Sequence, residues 1–212
     1  WRHLQAIGRN LSNNPSVGGI VLNSRDITER VAAETQLRSE RDLFARQVTI
    51  MTDLATRNLF ELGLQAAYRT ITEQASAALL VERVSVWLYG ASGDEVECVD
   101  LYVKSTGNHA SGERLNRSRE VFEREIEERI IAIDDVATDE RAADLRSQVY
   151  EPRGIGAILD ASIWSEGACL GWLTLCHVGG TREWSVAEQG IAIALASYCA
   201  RIVENEERRK TE

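Results

Sequence analysis

The chain has 212 residues and a formal net charge of −9, with 44% apolar and 27% charged residues. That length holds one full domain plus a fragment, or one domain with long helical extensions. The acidic balance excludes the basic footprint of a nucleic-acid-binding surface. No apolar run approaches the roughly 20 residues that span a bilayer. Cys98, Cys169, Cys176 and Cys199 form no Cys-x-x-Cys pair and lie in apolar surroundings, which reads as reduced, buried thiols of a cytoplasmic protein.

The first residues alternate: Trp1, His3, Gln5, Ile7 and Arg9 against Arg2, Leu4, Ala6 and Gly8. Turn chemistry follows at Asn13-Asn14-Pro15 and Gly18-Gly19, and Ile20-Val21-Leu22 restart an apolar strand, so a β-hairpin is expected. Asp26, with Glu29 three residues on, reads as a capping-box start to a helix. Residues 1–30, ending in Arg25-Asp26-Ile27-Thr28, resemble the last strands of a PAS domain and its Asp-Ile-Thr exit motif. The resemblance implies a truncated PAS domain over 1–27, with the rest upstream of Trp1. It also implies that Asp26 and Thr28 couple that sheet to the following helix.

From 26 to 58 there is no Pro or Gly, which predicts a long helix, a signalling linker over 28–57. Leu37, Phe44 and Met51 repeat at seven, with Val48 and Ala55 supplying the other half of a seam that Glu34 and Arg41 interrupt. A short parallel coiled coil, and hence a homodimer, is one reading. An amphipathic helix lying on its own domain is the other. A second helix is expected over 59–82, with Leu62, Ala66, Ile71, Ala75, Ala78 and Leu79 inward. Strands follow over 83–89 and 95–104, joined by Gly90-Ala91-Ser92-Gly93-Asp94. A charged helix is expected over 118–129, a short strand over 130–133 and a helix over 139–149.

Two strands then flank Gly167, covering 155–163 and 170–177. Ser185 with Glu188 is a capping box for the last helix, whose buried stripe is Ile191, Leu195, Tyr198 and Ile202. Past Val203 a solvated helix leads on, with 206–212 expected to enter a further domain. The pattern predicts an α+β fold, one antiparallel sheet sandwiched by helices with long helices at both ends.

The run 155–188 carries a more specific likeness. A strand ending Asp160-Ala161-Ser162-Ile163, a turn at Gly167, Leu170-Gly171-Trp172-Leu173 and then His177, Arg182, Trp184 and Glu188 resemble the closing half of a GAF domain. Ser162 stands where the family usually has Pro. The resemblance implies a GAF domain over 58–205, a regulatory module that binds small molecules rather than an enzyme. The parent would be a two-component histidine kinase, a diguanylate cyclase or a related sensor.

Subtypes of that family set sharper expectations. Bilin-binding members carry their linking Cys just before the strand equivalent to 155–163, and Leu145-Arg146-Ser147-Gln148-Val149-Tyr150 has none, so a covalent bilin is not expected. Against the Asn-Lys…Phe…Asp-Glu signature of cyclic-nucleotide members, this chain has Cys176-His177, Trp184 and Glu188-Gln189, which keeps only an aromatic and one carboxylate. A methionine sulfoxide reductase-like enzyme would need exposed thiolates. Cys176 and His177 point to opposite faces of a strand and cannot form a dyad. Cys169 and Cys176, an odd number apart, are likewise expected on opposite faces unless a bulge intervenes.

Asp134, Asp135, Asp139, Glu140 and Asp144 form an acidic patch without the ligand order of a calcium loop, and helix capping is the plainer account. His3 and His109 stand alone, structural or solvent-facing, with haem ligation the alternative. No metal or other cofactor is expected. Geometry supplies the candidate ligand site. Trp87 and Tyr89, with Ser85, share one strand face, and Trp172, Thr174 and Cys176 share another. Such mixed aromatic and polar faces suit a cavity, or else simply fill the core. Two functions follow: a sensor of a small molecule that relays through its terminal helices, or a ligand-free dimerisation and relay module.

Overall fold

The computed structural model describes residues 1–56, 63–116 and 129–211. The helix expected over 118–129, all but Arg129, and the start of the helix expected from Leu59, Leu62 included, lie outside the described residues. The chain divides into two compact units, Trp1–Ala45 and Arg46–Glu212.

In the first unit, β1 (Leu4–Leu11) pairs antiparallel with β2 (Gly19–Asp26), from Leu4 opposite Asp26 to Leu11 opposite Gly19. The Asn10 and Asn14 side chains accept from the Ser12 and Ser16 N–H groups and build the turn. Helix α1 (Thr28–Thr56) follows at once. Asp26 Oδ1 accepts from the Thr28 N–H at 3.0 Å and from its hydroxyl at 2.7 Å, and Thr28 Oγ1 accepts from the His3 N–H at 2.8 Å. The expected capping box with Glu29 does not form, because α1 begins at Thr28 and Glu29 comes one residue too early for the reciprocal position. Thr28 first, then Arg2, holds the Asp26 carboxyl below its ordinary value of 3.8. This clasp is therefore complete above the ordinary carboxylate range and is lost as pH falls through the lowered value. Leu37, Phe44 and Val48 of α1 are exposed, and the side chains of Met51 and Ala55 lie outside the described residues.

The second unit is built on one antiparallel sheet. Its strands are β3 (Arg83–Tyr89), β4 (Glu95–Val103), β5 (Asn108–Ala110), β6 (Arg114–Asn116), β7 (Ile130–Ile133), β8 (Ile155–Ser165) and β9 (Ala168–Val178). Their order is β5-β4-β3-β9-β8-β7, with β6 also on β4. Helices α2 (Leu64–Leu79) and α3 (Val186–Thr211) pack on one face. Strand alternation sends Val84, Val86, Leu159, Ala161, Ile163, Leu173 and Leu175 to that side, all buried.

α2 buries Ala67, Tyr68, Ile71, Ala75 and Leu79. Ala66, expected inward, is exposed, because the stripe runs through Tyr68, Ile71 and Ala75. On α3 the stripe is Ile191, Leu195, Cys199 and Ile202. Cys199 takes the place expected of Tyr198, which is half-buried under Arg201. The capping box forms as expected, with Ser185 N–H donating to Glu188 Oε2 at 2.9 Å and Glu188 N–H to Ser185 Oγ at 3.3 Å. By length and composition Val186–Arg209 could cross a membrane, at hydropathy 1.3. This corrects the expectation of no such run; the helix spends its apolar stripe on the sheet.

The other sheet face is covered by short helical turns, Glu140–Ala142, Ala143–Leu145, Arg146–Tyr150 and Glu151–Arg153. A single helix was expected over 139–149; the turns change pitch along the segment and end at Gly154, φ 63°. The acidic patch is capping chemistry. Asp134 accepts from the Trp184 N–H, Asp135 from Ala137 and Asp139 from Arg141. Among the described residues no acidic, Cys or His group is arranged to hold a metal ion.

His109 does not stand alone. Its Nδ1 lies 3.0 Å from Asp100 Oδ2 and its Nε2 3.0 Å from Glu73 Oε1. Asp100, fully buried, also accepts from Thr72 Oγ1 at 2.6 Å.

Gly171 is where β3 and β9 approach most demandingly. Its φ is 152°, and a Cβ there would collide with the Trp87 carbonyl and Leu88 Cα, which are backbone atoms that cannot swing aside. Gly171→Ala is expected to cost about 1–3 kcal/mol or more, read as a lower urea midpoint; an unchanged midpoint would contradict this packing. All four cysteines are buried. Burial pushes the thiols of Cys98, Cys176 and Cys199 up to about 12. A thiol-specific disulfide reagent at pH 8 is expected to label the native protein only on unfolding, and rapid native labelling would refute structural burial.

Candidate functional site

The pairing of β3, β9 and β8 lays side chains out in rows. Arg83 stands opposite Cys176, and Cys176 opposite Ile158. Ser85 stands opposite Thr174, and Thr174 opposite Asp160. Trp87 stands opposite Trp172, and Trp172 opposite Ser162. Side chains of one phase share a face, so Arg83, Ser85, Trp87, Trp172, Thr174, Cys176 and Asp160 all reach the side away from α2 and α3.

There they floor a cavity with about 600 Å³ of atom-free space, its mouth included. Leu145, Val149, Tyr150 and Arg153 of the helical turns roof it, and Leu101, Glu113 and Leu115 form a side wall. The centre of a water molecule can move through about 60 Å³ of it, several times the roughly 10–15 Å³ that one water needs.

Four of the five candidate pocket residues, Trp87, Trp172, Thr174 and Cys176, line this cavity. Tyr89 does not. It stands edge-on to Trp172, ring centroids 5.6 Å apart at 81°, and backs the aromatic wall. Cys169 joins Trp172 and Val96 in one apolar cluster, while Cys176 belongs to another with Ile133, Tyr150 and Ile158. The parity expected to put Cys169 and Cys176 on opposite faces fails, because Trp164 pairs with Cys169 while Ile163 pairs with Gly171, leaving Leu170 as a bulge. The two thiols remain in separate clusters.

Sequence reasoning missed Arg83, Asp160, Arg153 and Glu113. Arg83 was legible: it lies two residues before Ser85 on the same strand face. Asp160 shares the phase of Ser162. Arg153 and Glu113 arrive from loops distant in sequence, and nothing local marks them.

Electrostatically the cavity divides in two. Arg153 is spent, with Nη2 3.1 Å from Glu113 Oε1 and Nη1 3.2 Å from both the Gln148 and Val149 carbonyls. Arg83 makes no hydrogen bond or ion pair among the described residues, and neither does the hydroxyl of buried Thr174. Trp87 Nε1 donates to Ser85 Oγ at 2.9 Å. The Cys176 thiol stays protonated through neutral pH, so the walls offer binding groups and no activated nucleophile.

The Arg182, Trp184 and Glu188 motif lies away from the cavity and forms a latch. Arg182 Nη2 donates to the Leu79 carbonyl at 2.6 Å and to Glu188 Oε1 at 2.5 Å, and the guanidinium covers the Trp184 ring at 4.4 Å. Trp184 Nε1 donates to the Ile133 carbonyl at 3.3 Å. This ties the ends of α2 and β7 to the start of α3.

Solved structures share this architecture. The GAF domain of the cyanobacteriochrome TePixJ superposes with a TM-score of 0.59 at 19% identity, covering 72% of this chain and 96% of that one. The GAF domain of a phosphoenolpyruvate-protein phosphotransferase (ptsP) from Coxiella burnetii gives 0.61 at 16% identity, covering 81% and 98%. The phycoerythrobilin-bound GAF domain of a cyanobacterial phytochrome gives 0.64 at 14% identity, covering 77% and 97%. At these identities the likeness is one of fold. No curated protein matches the chain. The sequence profile described as "GAF domain" matches residues 63–203, and with the antiparallel sheet, its helices and the latch in place, the chain belongs to the GAF domain family.

Proposed function

We propose that residues 63–203 sense a small molecule bound non-covalently in the cavity on β3, β9 and β8, and relay its presence through the terminal helices to a downstream output domain. The observation that carries this reading is the cavity itself. It combines two Trp walls, a buried Thr hydroxyl and an Arg without a partner among the described residues, a few polar groups set in apolar walls as ligand sites require. No covalent bilin enters the reading, since no Cys lies at 145–150 and the space for water centres is far below what a tetrapyrrole fills. Binding would act by population shift: a ligand favouring one arrangement of the helices biases the output by its differential affinity. The segment would act in the cytoplasm as part of a histidine kinase, diguanylate cyclase or similar parent.

A compound that binds the native state raises its melting point by mass action. At a hundred times Kd the gain is about 2.7 kcal/mol, roughly 5–10 °C for a chain of this size. A thermal-shift screen of nucleotides, amino acids, 2-oxo acids and tetrapyrroles is expected to find such a compound, with the shift reduced in Trp172→Phe. If no compound moves the melting point, the ligand-free relay reading replaces the sensor.

The exposed row Leu37, Phe44 and Val48 on α1 supports a second element, homodimerisation through a parallel coiled coil. In this reading residues 1–27 close a PAS domain, and Asp26 and Thr28 set the angle at which α1 leaves it. Sedimentation is expected to show reversible dimers at micromolar concentrations, weakened by Leu37→Glu with Phe44→Glu. Asp26→Ala should alter self-association without lowering the melting point of residues 46–211. Only monomer at high concentration would refute the dimer.

A further inference from the structure

We propose that the cavity takes a small aliphatic 2-oxo acid, its carboxylate on the Arg83 guanidinium, its 2-oxo oxygen on the hydroxyls of Ser85 and Thr174, and its tail against Trp87 and Trp172. The inference rests on the sensor reading above and names its ligand class. The unspent hydrogen-bonding groups of the cavity argue for it. Glu113 and Arg153 hold each other at 3.1 Å. Asp160 and Tyr150 are each engaged in an interaction of their own. The Trp87 Nε1 proton goes to Ser85 Oγ at 2.9 Å. Donors are left over on the floor: the N–H groups of Arg83 and the O–H groups of Ser85 and Thr174, none given to a partner among the described residues. Such a site takes a ligand that brings acceptors. An arginine does not shed its proton, and a charge among apolar walls is costly without a counter-ion, so the acceptor at Arg83 is an anion.

Strand register puts these donors in order. Arg83 stands opposite Cys176, Ser85 opposite Thr174, and Trp87 opposite Trp172. Successive rows on one face are two residues apart, about 7 Å, and an arginine side chain is long enough to cover most of the first step. From one end to the other the floor offers a cation, then two hydroxyls, then two indole rings. An aliphatic 2-oxo acid carries the matching groups in the same order: a carboxylate, a neutral carbonyl oxygen and an apolar tail.

The same order selects against related compounds. An α-amino acid would set its ammonium beside Arg83, a donor against donors. A plain fatty acid would cover the two hydroxyls and give them no acceptor, which leaves them desolvated and unpaired. A dicarboxylate would press its second charge onto the indole walls. Asp160 lies two strands from Arg83, with β9 between them, so the carboxylate belongs on the β3 side of the floor. Space for water centres of about 60 Å³ limits the tail to a few carbons. A carboxylate bound to Arg is a charge-assisted pair with geometric preference, so Lys is a poor substitute.

The test uses the whole 212-residue chain and calorimetry with 4-methyl-2-oxopentanoate. Three relatives are titrated alongside: L-leucine, with an ammonium in place of the carbonyl, 4-methylpentanoate, with no oxygen at that carbon, and 2-oxopentanedioate, with a second carboxylate in place of the tail. The branched 2-oxo acid is expected to bind about tenfold more tightly than any of the three. Arg83→Gln should weaken it by roughly ten- to a hundredfold while the native circular dichroism is kept. If Arg83→Gln does not fold, Arg83→Lys keeps the charge and should still bind more weakly. Thr174→Val should narrow the gap between 4-methyl-2-oxopentanoate and 4-methylpentanoate. Equal binding of those two by the native chain, tighter binding of leucine or of the dicarboxylate, or undiminished binding by the folded Arg83 variant overturns the 2-oxo acid. If another compound class binds and its binding falls in Trp172→Phe, the ligand class fails while the sensor reading stands. If neither these compounds nor those of the thermal-shift screen bind, both fail together.

Discussion

Every feature of the second unit depends on β9 being buried on both faces. From Gly171 to Cys176 no residue of this strand is exposed, so each side chain must satisfy either the helical layer or the cavity. Leu173 and Leu175 meet the helices; Trp172, Thr174 and Cys176 meet the cavity. Because β3 pairs with β9 without interruption from Arg83 to Leu88, the same division passes to β3. A slip of one residue would exchange the faces and put an arginine and two tryptophans against α2 and α3. Gly171 holds the register at one end, since its backbone lies too close to Trp87 for any side chain to intervene.

On the proposed sensor reading, that division would separate sensing from transmission without isolating them. The cavity lies on one face of β9 and the helices on the other, one strand's thickness apart. A ligand bound there, as proposed, would act through Trp172 or Thr174 on the strand carrying Leu173 and Leu175, against which the helical layer rests. The latch gives this layer a defined response. Arg182 binds a carbonyl at the end of α2 and the first-turn carboxylate of α3 at once, and Trp184 fixes both to β7. The two helices are therefore coupled at their junction as well as through their shared core.

The sequence made the sheet legible because alternation survives wherever both neighbours are regular. Ser85 and Trp87, Trp172 and Thr174, and the Ser185–Glu188 box stand where period and capping chemistry put them. Misreadings fall where regularity breaks. The bulge at Leu170 reverses the phase of Cys169, and no residue type there announces it. Ala66 and Tyr198 are small or amphipathic residues beside a buried stripe, and helical period alone cannot choose between adjacent positions. The turns over 140–153 change pitch to roof the cavity, a demand set by tertiary packing. The charges of the site were half visible: Arg83 extends a strand pattern, whereas Arg153 and Glu113 meet only through folding. The family likeness of residues 155–188 was clear because it rests on the latch, whose Arg, Trp and Glu have structural partners that other residue types would not supply.

The Asp100 cluster shows how the helical face tolerates a charge in its interior. A fully buried carboxylate is costly unless it is paired and hydrogen-bonded. Here Thr72 of α2, His109 of β5 and Gln65 all reach it. Those partners come from two elements, α2 and β5, so the carboxylate is satisfied only when α2 sits in one position along β4. Apolar contacts alone would allow the small residues Ala67, Ala75 and Ala78 to slide at little cost. The buried charge therefore converts an adaptable alanine-rich contact into a single register. With α2 fixed on β4 by Asp100 and on α3 by Arg182, the proposed relay would have to run out along α3 beyond its buried stripe.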